Sequence, residues 1–112
     1  MYTVEDVYKV SVPGHRFHYL YNIFYAIKNR CLNPKDAAYK NYGGRGITVH
    51  DVWLKCANDF VLWALNNLGE RPEGLTLDRI ENDGHYQPGN LRWATREVQT
   101  HNRRQQYSMK RN

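Results

Sequence analysis

Six basic side chains, Arg92, Arg96, Arg103, Arg104, Lys110 and Arg111, fall in the last 21 residues, against the single acid Glu97. Residues 1–91 hold ten Lys and Arg against ten Asp and Glu and sum to zero, so the net +5 sits entirely at the C-terminal end. Such an end on a neutral body has the electrostatic footprint of a polyanion binder. It is equally compatible with a solvated tail that aids solubility. A second basic stretch, Lys28, Arg30, Lys35, Lys40 and Arg45 against Asp36, could extend a DNA track. Arg45 lies in Tyr42-Gly43-Gly44-Arg45-Gly46, where glycines permit positive φ or the close approach of another backbone. A glycine-rich turn carrying one arginine can offer backbone N–H groups to a phosphate, or its glycines can serve geometry alone. The Gly-Lys-Ser/Thr ending of a nucleotide P-loop is missing, which disfavours ATP or GTP.

The elements that must position these residues are set by hydrophobic period. Phe17, Leu20, Tyr21, Phe24, Ile27 and Cys31 form one apolar stripe and predict a helix over 16–31, stopped by Asn33-Pro34. Residues 1–13 show a weak alternation of Tyr2, Val4, Val7, Val10 and Val12 that ends at Pro13-Gly14, and they read as an irregular arm with a short strand or turn. A short helix is expected over 37–41 behind Asp36. A strand is expected from Ile47 to about Val52, and a second long helix over 56–68 with Phe60, Trp63, Ala64 and Leu68 inward. Gly69 is its natural C-cap. Leu75–Ile80 is strand-like. The turn signals Asn82-Asp83-Gly84 and Gln87-Pro88-Gly89-Asn90 separate it from a second strand, Leu91–Ala94. Thr95 then caps a helix from about Arg96 to Arg104.

The stretch 77–102, LDRIENDGHYQPGNLRWATREVQTHN, resembles the HNH (ββα-metal) motif of phage and intron-encoded endonucleases. The upstream YGGRGITVHDVW is similar to segments of small phage proteins grouped with that family. The resemblance implies an α+β fold: two helices and a small sheet, followed by a C-terminal ββα unit. It implies metal-dependent cleavage or nicking of DNA, with Mg²⁺ or Mn²⁺ as cofactor, DNA as partner and a phage setting. Asp78 falls at the family's first metal-ligand position and Asn102 at the closing helical one. Both are hard oxygen ligands suited to those ions. Asn90 matches the asparagine that opens the second strand and helps hold the long loop. Arg79 occupies the position of the general-base histidine. An arginine stays protonated and is a poor proton acceptor, but it can clamp a phosphate. His85 or His101 would have to substitute as the base. The DNA contacts expected are Arg45 and the basic residues of 92–112. The departure at Arg79 keeps a rival open: a DNA-binding module that has the shape but does not cut. Asp78 could also simply pair with Arg79 or a nearby arginine on the sheet surface, and His85 could be a solvent-facing turn residue.

Length and composition bound the rest. A chain of 112 residues is one domain by the usual prior, here a scaffold over 1–74, the HNH-like unit over 75–104 and a basic tail over 105–112. An apolar fraction of 41% predicts a folded chain. No stretch approaches the length of a membrane span, and residues 1–12 lack the apolar core of a signal peptide. Cys31 and Cys56 form no CxxC pair, so a thiolate zinc site is not expected. The expectation is two buried free thiols in a reducing cytoplasm. His15, His18 and His50 have no ligand spacing. Trp63 and Trp93 are expected in the core.

Overall fold

The computed structural model describes residues 1–100. The chain runs α1 (Val4–Val10), α2 (Tyr19–Leu32), two 3-10 turns (Tyr39–Asn41 and Gly43–Arg45), α3 (Asp51–Lys55), α4 (Ala57–Asn67), β1 (Thr76–Arg79) and β2 (Leu91–Ala94). The fold is α+β, with helices packed beside one two-stranded antiparallel sheet.

Residues 1–13 are not an arm. Thr3 and Asp6 form a capping box: the Asp6 N–H donates to the Thr3 hydroxyl, and the Thr3 N–H donates to Asp6 Oδ2 at 2.8 Å. This satisfies the first orphan donors of a helix. The helix then buries Val7 and Val10 and packs on α4. The apparent alternation of valines is in fact a three-residue step along one helical face.

The expected stripe on α2 is inward. Leu20, Tyr21, Phe24, Ile27 and Cys31 are all buried, as is Phe17 just before the helix. Phe24 stacks on Phe60 of α4 at 5.1 Å between centroids, and Trp53 of α3 meets Phe60 edge-on at 5.1 Å. Trp53 is therefore the buried tryptophan of the core, while Trp63, expected there, is half-buried beside it. Trp93 is also only partly buried, and its Nε1–H donates to the Gly69 carbonyl. The cysteines differ as well: Cys31 is buried and Cys56 exposed.

The strand expected over Ile47–Val52 is replaced. Only Val49 pairs, in one parallel bridge to Tyr86, and α3 begins two residues later. Asp51 in the first helical turn favours the helix N-terminus, and the helix turns Trp53 into the core, where a large ring gains most. The preceding glycines perform both expected tasks. Gly46 has φ +88°, and a Cβ on Gly43 would lie 2.1 Å from the Cys31 carbonyl oxygen at the end of α2.

β1 and β2 pair with Asp78 opposite Arg92 and Arg79 opposite Leu91. Thr95 caps the helical turn beyond β2: the Val98 N–H donates to its hydroxyl at 3.3 Å, and 96–100 is helical. One apolar cluster runs from Val7 to Leu91.

Candidate functional site

The loop between the strands is fixed by two buried polar side chains, one from each strand end. Asn90 accepts from the Glu81 N–H at 2.8 Å and donates to the His85 carbonyl at 2.9 Å and to the Glu81 carbonyl at 3.3 Å. It thus ties the two ends of the loop together. Gly84 must lack a side chain, because a Cβ there would lie 2.7 Å from Asn90 Nδ2.

Arg79 acts from the other end. Its Nη1 donates to the carbonyls of Asn82 at 2.6 Å and Gly84 at 2.8 Å, and Nη2 donates to Asn82 Oδ1 at 3.2 Å. Its guanidinium carbon lies 5.2 Å from the ring centres of both Tyr42 and Tyr86. A cation over aromatic faces is attracted by the ring quadrupole. Arg79 is buried, with only 6% of its surface exposed. Its first task is therefore internal: it organises the loop and clamps it to the Tyr42 segment. Burial, and secondarily neighbouring Tyr42, pushes the Tyr86 hydroxyl up to about 12.

Asp78 lies on β1, and its Oδ2 accepts from Arg92 Nε at 3.1 Å. The pair lies directly cross-strand, so register alone brings the opposite charges together. Arg92 is thus engaged with Asp78, and Arg96 is exposed on the first helical turn beyond Thr95. Arg45 forms an ion pair with Asp83 and donates to the Asn41 carbonyl, which fastens the glycine-rich turn to the loop. His85 Nδ1 accepts from the Thr48 N–H at 3.0 Å, beside the Val49–Tyr86 bridge. His85 is therefore partly buried and tied inward, where a solvent-facing turn residue was one expectation. His101, Asn102, Arg103, Arg104, Lys110 and Arg111 lie outside the described residues.

Between α2 and β1 opens a cavity of about 580 Å³. Asp78 and Arg79 both line it; Asn90, His85, Arg45 and Arg92 do not. Sequence alone assigns no site role to Arg71, Tyr19 or Tyr42, which the fold brings to the same cavity. The signal available was the recurrence of arginine and tyrosine, but their convergence depends on tertiary packing of segments far apart in the chain.

The fit of a divalent cation depends on these groups. Among the described residues no group of three or more His, Cys, Asp or Glu gathers. Of the described acidic side chains only Asp78 lines the cavity, and Arg92 holds it. Comparison of the chain with protein-family models, curated proteins and solved structures finds no match.

Proposed function

We propose that this protein is a DNA-binding protein of HNH-like design and that it nicks or cleaves DNA in a metal-dependent reaction. The observation that carries the reading is the hairpin with its Asn90-held loop, followed directly by a Thr95-capped helical turn, with Asp78 on the first strand at the edge of a cavity. That order, read over the described residues 75–100, supports a ββα arrangement. Binding would come from phosphate neutralisation by the basic residues of 92–112. Mg²⁺ or Mn²⁺, when bound, would stabilise charge developing at the scissile phosphate. Asp78 would have to exchange Arg92 for the cation, and Asn102 would supply the second oxygen. The water-activating base would be His101 or His85; Arg79 cannot take the proton.

A second reading, a DNA-binding module that does not cut, is favoured by two observations. Arg79 is committed to the loop carbonyls, and Asp78 is neutralised by Arg92. Supercoiled plasmid incubated with the full chain in Mn²⁺, in Mg²⁺ and in chelator decides between them, with a gel shift run in parallel. Metal-dependent conversion to nicked or linear forms, lost in Asp78→Ala, is the expected result. Retardation without conversion establishes the second reading, and neither effect overturns both.

A further inference from the structure

Among the described residues, three arginines, Arg30, Arg71 and Arg79, and one carboxylate, Asp78, line the cavity between α2 and β1. Every hydrogen bond from Arg79 goes to a neutral oxygen, and among the described residues no carboxylate forms an ion pair with it. Buried charges are ordinarily paired, because removing them from water is costly. Two further arginines face the same space. Arg30 of α2 lies over Tyr42 at 5.5 Å, on the ring that Arg79 also contacts. Arg71, just ahead of β1, lies over Tyr19 at 4.7 Å, and its backbone N–H donates to the Tyr19 hydroxyl at 2.9 Å. Neither the Arg30 nor the Arg71 guanidinium has an ion pair with another described residue. The rings hold them by their faces, and a guanidinium so held keeps its N–H edge for a planar, bidentate acceptor. Asp78, the one described acid at the cavity, is already neutralised by Arg92.

We propose that this cavity is a phosphate-binding pocket, in which Arg30 of α2, Arg71 of the loop ahead of β1 and Arg79 at the end of β1 grip one phosphate group of a nucleic-acid strand. The strand as the source of that phosphate rests on the DNA-binding reading; the pocket itself does not. Three arginines on one small cavity match the forked geometry of phosphate oxygens. Its volume lies within the range of roughly 300–1,000 Å³ usual for small-ligand sites. Because Arg79 is held by loop carbonyls, the pocket is preorganised and needs little rearrangement to accept the anion.

A ligand that binds only the folded state raises its stability. The full chain is therefore unfolded thermally in sodium phosphate and in sodium chloride at equal ionic strength. Phosphate is expected to raise the Tm of the wild type by about 4–8 °C, and the doubly substituted R30Q/R71Q chain by less than half as much. The double variant removes charge without touching the loop hydrogen bonds, and its far-UV circular dichroism checks that it is folded. Equal shifts in both chains mean general salt exclusion and overturn the pocket, as does no shift in either. The second arm measures anisotropy of a labelled single-stranded oligonucleotide without terminal phosphates. R30Q/R71Q is expected to weaken its binding at least ~10-fold, with inorganic phosphate competing in the wild type. A lost phosphate shift with unchanged oligonucleotide binding would overturn the strand and leave a free phosphate as the ligand. If the wild type binds no oligonucleotide, the DNA-binding reading fails, and the thermal arm alone decides the pocket.

Discussion

Arg79 illustrates how one side chain takes on several tasks. Its position in the motif invites comparison with a proton acceptor, yet its chemistry serves fixation: three oxygens and two aromatic faces arrest it. The same confinement acts on Tyr86. An ordinary tyrosine ionises near 10, and burial moves this one to about 12. The unfolded chain therefore loses its proton first. The resulting stability is fully present below about pH 10 and is lost as pH rises through 12, a change of about 2–3 kcal/mol. Tyr86→Phe should remove that part of the alkaline destabilisation, measured as urea midpoints from pH 9 to pH 12. Tyr21, also raised by burial, contributes a loss of the same sign that the variant retains. An unchanged pH slope in Tyr86→Phe would place the ionisable hydroxyl in water.

At the scale of elements, the long periodic segments were legible. The stripe on α2 predicted its buried residues, and the hairpin was visible as two apolar runs around dense turn signals. The misses share a cause. α1 and α3 are too short to show a helical period, seven and five residues, so three valines looked like alternation and Ile47–Val52 looked like a strand. The Thr3-Asp6 capping box was the missed clue for α1. For α3 nothing local was decisive, because Trp53 is drawn inward by Phe60 and Trp63, which lie on the next helix. The difference between the tryptophans is measurable. Trp53→Ala should cost about 3–5 kcal/mol, whereas Trp63→Ala should cost clearly less, about 1–2 kcal/mol, because its site is already partly open to water. Chemical denaturation of both variants checks the order. A reversed order would put Trp63 at the centre of the core.

At the scale of the molecule, charge and packing are divided. The apolar cluster lies within residues 7–91, whereas Arg103, Arg104, Lys110 and Arg111 carry four of the five net charges. A chain ending at Thr100 keeps the Gln99–Thr76 side-chain hydrogen bond beside the strands and has a net charge of +1. Its Tm should stay within a few degrees of the full chain. Its affinity for duplex DNA at low salt should fall by at least ~10-fold, and the dependence of log affinity on log salt should flatten as fewer counterions are released. Equal affinity of the two chains would assign binding to the body. The candidate site was only half legible for a related reason. Asp78 and Asn90 could be singled out in the sequence as candidates, but the partner Arg92 required the register, and Arg30 and Arg71 required the approach of α2 to β1.

Residues 75–100 look in sequence like a cassette, a hairpin and a helix start that could be lifted out and grafted elsewhere. The Val49–Tyr86 bridge denies this. Tyr86 donates its N–H to the Thr48 carbonyl and accepts from the His50 N–H, His85 accepts from the Thr48 N–H, and Tyr42 covers Arg79. Every one of those partners lies upstream of the cassette. Cut free, the loop would lose its floor, and the guanidinium of Arg79 would lose its Tyr42 cover. The unit that inheritance or engineering can move is therefore larger than the motif visible in the sequence: it extends back at least to Tyr42 and takes the glycine-rich turn with it.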